Sequence, residues 1–150
     1  MKARLFTALG VVALLVATVM AEDKKEVKLD GIKCPVSAKA ATQNAVDYKG
    51  GKVYFCCENC PKGFSANTAK FATKANAQLV ATGQAKQAKC PLSGGAINAD
   101  TAITVGGAKV AFCCEKCQGK VKAAKDAEAL ELVFSDKAFE KAGFAVEKAK

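Results

Sequence analysis

Eight cysteines are the residues of this chain whose type and spacing can do chemistry: Cys34, Cys56, Cys57 and Cys60, then Cys90, Cys113, Cys114 and Cys117. The sequence has no histidine, which removes the commonest general base and the commonest nitrogen ligand together. A transition-metal site here must therefore be thiolate, with oxygen as the other available donor. Cys56 and Cys60 stand four apart across an expected strand-to-helix junction, so both can point to one side. There Cys34, on a turn stiffened by Pro35, can meet them. Cys90, Cys113 and Cys117 repeat the arrangement. A metal ion at such a point would clip a turn, a hairpin and a helix together and supply folding free energy that a very small core lacks. Cys57 and Cys114 are ambiguous, because neighbours in an extended strand face opposite ways. A helix beginning at the pair would instead make Cys57-Glu58-Asn59-Cys60 a knuckle in which either cysteine ligates. Four thiolates per site, or three with an open position, both fit the spacing.

The elements that must position these thiols come as a duplication. Cys34-Pro35-Val36-Ser37 aligns with Cys90-Pro91-Leu92-Ser93, and Gly50, Lys52, Val53, Phe55, Cys56, Cys57, Glu58 and Cys60 align with Gly107, Lys109, Val110, Phe112, Cys113, Cys114, Glu115 and Cys117. The offset grows from 56 at the first cysteine to 57 at the later ones, so the second copy carries one extra residue, best placed near Thr101. In each copy the Cys-Pro turn is followed by alternating apolar residues around glycines. Val46 and Tyr48 lead through a turn at Gly50-Gly51 to Val53 and Phe55, and Ile103 and Val105 lead through Gly106-Gly107 to Val110 and Phe112. The returning strand delivers the paired cysteines. A helix follows, with Glu58 or Glu115 in its first turn and Phe64 or Val121 facing inward. Asn67 and Asp126 read as N-caps of second helices over 68–81 and 127–134, and Ser135 as the cap of a last short helix through Ala142. The fold class expected is α+β, two tandem hairpin-plus-helix modules at 26–82 and 90–150. The polar segment 83–89 is expected as their linker, and the lysine-rich end from Gly143 is expected to fray.

These residues resemble the YHS and TRASH families of metal-binding domains. The likeness rests on the Cys-Pro-Val-Ser opening, the Tyr48-Lys49-Gly50-Gly51-Lys52-Val53-Tyr54-Phe55 hairpin, the Cys-Cys-Glu-Asn-Cys junction and the cysteine spacing of both copies. It spans about 34–71 and 90–130. It implies small treble-clef-like, zinc-finger modules associated with heavy-metal trafficking, resistance and sensing, with Cys34, Cys56, Cys60, Cys90, Cys113 and Cys117 as ligands. Two departures stand out. Val105 and Ala111 replace the aromatics Tyr48 and Tyr54 in the second copy, and the YHS-type histidine is missing throughout.

The N-terminus reads as a secretory signal: Lys2 and Arg4, an apolar stretch from Leu5 to Met20, and cleavage expected after Ala21. No other stretch approaches the ~18 consecutive apolar residues of a membrane span. The chain is then expected to be secreted or periplasmic, with no membrane span after cleavage. Loss of Lys2 and Arg4 lowers the formal charge of +9 by two, and in an exported protein the remaining positive charge suits an anionic surface or envelope protein before nucleic acid. Most of the lysines fall in helix-like stretches and read as solvated faces.

All-sulfur surroundings suit Zn(II) or Cu(I), about one ion per module. Lys33 and Lys89, each just before a first cysteine, would favour thiolate if they lie near it, and otherwise read as solvated side chains. The expected function is metal sequestration or delivery without catalysis. The rivals are structural disulfides in an envelope interaction module and a thiol oxidoreductase using Cys57 with Cys60 and Cys114 with Cys117.

Overall fold

The structure is a computed structural model that describes residues 27–147, so the expected signal segment lies outside the described residues. Its elements are β1 Asn44–Tyr48, β2 Gly51–Phe55, α1 Asn59–Ala66, α2 Thr68–Ala81, β3 Ala85–Lys86, β4 Asn98–Val105, β5 Ala108–Phe112, α3 Glu115–Ala123, α4 Asp126–Phe134, α5 Asp136–Lys141 and β6 Ala145–Val146. This is the α+β arrangement of β-hairpins followed by helices, once in each half. Among the described residues no helix is long and apolar enough to cross a membrane.

Both hairpins close through two residues at positive φ, as a type I′ turn requires. In the first these are Lys49 and Gly50 (φ 50° and 87°), in the second Gly106 and Gly107 (φ 59° and 86°). The first turn is thus one residue earlier than the expected Gly50-Gly51, and a lysine occupies a left-handed position. Gly51 instead pairs with Tyr48 in the ladder. It is glycine because of a close approach: a Cβ there would lie 2.8 Å from Leu79 Cδ2 and 3.0 Å from both Gln84 Oε1 and Val146 Cγ1. The additional residue of the second copy also has a place. The β4–β5 register breaks between Asn98 and Ile103, a span that contains Thr101.

The expected helix caps fall near the right positions without the expected chemistry. Asn67 precedes α2 and Ser135 precedes α5, yet neither side chain bonds the helix, and Asp126 is the first residue of α4, behind Lys125. Asp126 and Glu128 in that first turn still complement the helix dipole.

The polar segment 83–89 proves to be part of the fold. β3 pairs antiparallel with β6, so the segment joining the copies and the chain end expected to fray form one ladder, with Ala85 and Phe144 buried. The glutamines that make this stretch look like a linker are used as hydrogen-bonding groups. Gln84 accepts from Lys52 N at 2.6 Å and donates to Lys52 O at 2.8 Å, completing the outer edge of β2. Unpaired strand edges otherwise need such cover.

One buried cluster runs through both halves, including Val53, Phe55, Phe64 and Leu79 from the first and Val110, Phe112, Val133, Phe134 and Phe139 from the second. Pooling apolar surface in this way offsets the small burial that either half achieves alone. A polar latch crosses the same boundary. Lys49 Nζ lies 2.6 Å from Asp136 Oδ1 and within 5.4 Å of the Tyr48 and Phe139 ring centres, and buried Asn76 donates to Phe134 O and to Asp136 Oδ1.

Two outcomes are expected. Gly51→Ala should lower stability by about 1–3 kcal/mol in urea unfolding, since three packed neighbours must give way. Hydrogen bonds from Lys49 and then Asn76 hold the Asp136 carboxyl below its ordinary value, against partial burial. Its stabilisation is therefore full above the unfolded-state value of about 3.9 and is lost as pH falls through the lower folded value. Because Asp136 is half exposed, Asp136→Asn should cost under about 1 kcal/mol at pH 7 and progressively less as pH falls through the folded value, read from urea midpoints across that range.

Candidate metal centres

Each half gathers three thiols from the same three elements. The first comes from the Cys-Pro turn, the second from the residue just after the returning strand, and the third from the first turns of the following helix. Cys34 N–H donates to Lys39 O at 2.8 Å and Cys34 O accepts from Ala38 N at 2.9 Å; Cys90 repeats this with Gly95 O and Gly94 N. Closing so tight a turn places Ala38 and Gly94 at positive φ. The bridges Lys33↔Ala40 and Lys89↔Ala96 pin the two arms of each turn.

The result is that Cys34, Cys56 and Cys60 have Sγ atoms all within 4.8 Å of one another, and so do Cys90, Cys113 and Cys117. Cys56 and Cys60 stand 3.6 Å apart, Cys113 and Cys117 3.7 Å. Sulfurs bound at about 2.3 Å around one tetrahedral ion lie about 3.8 Å apart, whereas a disulfide needs about 2.05 Å. The donor set thus fits a soft or borderline cation, and all eight cysteines are unbridged. Each group is positioned to hold one metal ion, in a small zinc-finger-like module.

The other two cysteines are exposed and differ in their neighbours. Cys57 Sγ is 3.4 Å from Cys60 Sγ, while Cys114 Sγ is 3.6 Å from Cys113 Sγ. Neither belongs to the groups whose sulfurs all lie within 4.8 Å of one another.

The protonation pattern follows from this geometry. Burial pushes the Cys34 thiol up, but the Ser37 N–H and hydroxyl and the N–H groups of Cys56 and Val36 favour its anion, bringing it down to about 7. Burial opposes ionisation of Cys90 too, and Ser93, Cys113 and Leu92 bring it down to about 6. Cys60 goes the other way, pushed up to about 12 by burial and by hydrogen bonds with Cys57, Cys56 and Cys34. Cys117 also rises to about 12, through burial, hydrogen bonds with Cys113 and Cys114, and the negative charge of Cys90 and Cys113. Exposed Cys57 and Cys114 are lowered, chiefly by the N–H groups of Cys60 and Cys117 respectively. What favours the first thiolate is the amide groups and serine of the turn.

Ser37 and Ser93, each closing a Cys-Pro motif, have a role that the motif alone does not show. Their hydroxyls lie 3.1 Å from Cys56 Sγ and 3.2 Å from Cys113 Sγ, bridging first and second ligands. Two glutamines outside every motif also support the sites. Gln78 of α2, almost fully buried, bonds Tyr54 N and O and Lys33 O. Gln87, from the connecting segment, bonds Ala111 N and O and Lys89 O. Tyr54 and Lys33 align with Ala111 and Lys89, so both side chains tie the strand that carries the second ligand to the residue before the first. For Gln78 the sequence signal is a polar residue among the apolar Ala75, Ala77 and Leu79 of α2, whereas Gln87 in the connecting segment carries none.

Compared with family models, with curated proteins and with solved structures, the chain matches none.

Ultraviolet titration of the reduced, metal-free chain should show thiolate forming in separated stages, beginning at about 6 to 7 with Cys90 and Cys34 and ending near about 12 with Cys60 and Cys117. One step near the ordinary thiol value of about 8.5 would contradict the hydrogen-bonded trios.

Proposed function

We propose that this is an exported, non-catalytic metal carrier that holds one soft ion, Zn(II) or Cu(I), in each of two thiolate centres, for sequestration or delivery. The observation that carries the reading is the convergence of Cys34, Cys56 and Cys60, and of Cys90, Cys113 and Cys117, each within 4.8 Å. Bound metal would supply charge neutralisation for three thiolates and a covalent clip between turn, strand and helix. Three ligands leave a coordination position for Cys57 or Cys114, or for an incoming ligand from a partner. Metal ions are then the primary partners, with an envelope protein or anionic surface as the recipient side. The cysteine spacing and hairpin motif that resemble the YHS and TRASH families support the same reading. The basic charge and the signal-like N-terminus support export to a secreted or periplasmic location.

A disulfide-stabilised interaction module is the second reading, with Cys34–Cys60 and Cys90–Cys117 as its bridges, pairs whose sulfurs lie within 4.8 Å of each other. The thiol oxidoreductase reading is disfavoured by the unlike neighbours of Cys57 and Cys114, since a duplicated Cys-x-x-Cys centre would present the same pair twice.

Elemental analysis of protein purified from its native envelope, with thiol counting under denaturing conditions, decides among these. About two metal ions per chain are expected, released together with exposure of thiols as pH falls, because each ligand must be deprotonated to bind. Cys34→Ser should reduce the content to about one ion. Absence of both metal and free thiol would leave the disulfide reading in its place.

A further inference from the structure

The sulfurs of each trio are unequally covered. In the first, Cys34 and Cys60 are buried and Cys56 is partly exposed; in the second, Cys90 is buried while Cys113 and Cys117 are partly exposed. The ligand that solvent reaches in both centres is thus the one just after the returning strand. A serine hydroxyl lies against that sulfur in both copies. Ser37 Oγ is 3.1 Å from Cys56 Sγ, and Ser93 Oγ is 3.2 Å from Cys113 Sγ. The two partners are 19 residues apart in the first copy and 20 in the second, so the contact survives the one-residue insertion between them.

The turn decides which way these hydrogen bonds run once a metal is bound. Lys39 N donates to Ser37 Oγ at 3.4 Å and Gly95 N donates to Ser93 Oγ at 3.2 Å, two residues further on in each turn. The serine oxygen is therefore engaged as an acceptor, and its own proton is left to point at sulfur. A metal-bound cysteine is a thiolate, which has no proton and can only accept. The hydroxyl is then the donor and the sulfur the acceptor, in each centre.

We propose that Ser37 and Ser93 are positioning residues of the two centres: each donates its hydroxyl proton to the outer thiolate, Cys56 or Cys113, and shields that metal-bound sulfur from attack out of solvent. The proposal rests on the reading of the two trios as metal sites. A hydrogen bond to a thiolate draws charge from the sulfur and occupies a lone pair that an electrophile would otherwise use. Nucleophilicity falls as the sulfur becomes less basic. Cys34 and Cys90 are kept from solvent by burial; Cys56 and Cys113 are not, and the serine does at the surface what packing does inside.

Iodoacetamide is a suitable probe, because a sulfur lone pair displaces its iodide and the product marks the cysteine that reacted. The full, zinc-loaded chain is treated with it, and modification of each cysteine is followed in time by peptide mass mapping. Ser37→Ala should speed modification of Cys56 about two- to tenfold, the range of one hydrogen bond, and leave Cys113 at its former rate; Ser93→Ala should do the reverse. Ser37→Thr, which keeps the hydroxyl, should return Cys56 to the slow rate. Cobalt(II) in place of zinc gives a second readout. Its sulfur-to-metal charge-transfer band should move to longer wavelength in the alanine variants, since a thiolate without its hydrogen bond gives up an electron more easily. Both serines are exposed, so alanine leaves no cavity in the core. Unchanged labelling of Cys56 in Ser37→Ala, or equal acceleration at Cys56 and Cys113, would overturn the role of the serines while leaving two metal centres standing. A chain that takes up neither zinc nor cobalt would overturn the metal reading itself, and this proposal with it.

Discussion

Three sulfur atoms within 4.8 Å of one another form a group that cannot ionise independently. A second thiolate placed beside the first in a partly buried setting is opposed by repulsion and by desolvation, so the metal-free group shares protons among its members. The divergence of Cys34 and Cys90 from Cys60 and Cys117 expresses this: the turn thiols are stabilised as anions and the helix thiols are held protonated as their hydrogen-bonding neighbours. A cation removes the conflict for all three at once. The rest of the architecture serves to keep the sulfurs close enough for that conflict to exist.

Keeping them close is a task for backbone hydrogen bonds more than for apolar packing. The Cys-Pro turns are closed by their own amides, and the strands that carry Cys56 and Cys113 are short, two-stranded and paired on one side. Isolated hairpins of this length are marginal. Gln78 and Gln87 stand in for a third strand by offering a side-chain amide to the free edge, and each also reaches the residue before the first cysteine. That the two glutamines come from different places, one from a helix and one from the connecting segment, shows the same physical need met by unrelated parts of the chain.

The shared core explains why the halves are not simply beads on a string. α2 of the first half packs against α4, α5 and β5 of the second, and the β3–β6 ladder ties the joining segment to the last described residues. The strand that leads to the second centre is thereby backed by a helix of the first half. Disturbing one turn transmits strain to a common interior, because close-packed cores do not deform locally. The Lys49–Asp136 latch adds a polar contact between the first hairpin turn and the last helix.

The periodic parts of this architecture were legible in the residues. Alternation of Val46 with Tyr48 and of Val53 with Phe55 marked the hairpin, the offset of 56 changing to 57 located an extra residue inside what became the β4 bulge, and cysteine spacing brought together the six thiols that converge. Such signals are local, set by side-chain periods and by glycine, so a linear reading can find them. Tertiary structure alone decided the rest. Lys49 takes a left-handed turn position because Gly51 is needed where Leu79 and Val146 press against the strand. The 83–89 segment is ordered because its glutamines meet strand edges that only the folded chain presents. The asymmetry between Cys57 and Cys114 likewise depends on which neighbour each exposed thiol finds. A sequence states what each residue can bond to; which partner is in reach is settled by distances between segments far apart along the chain.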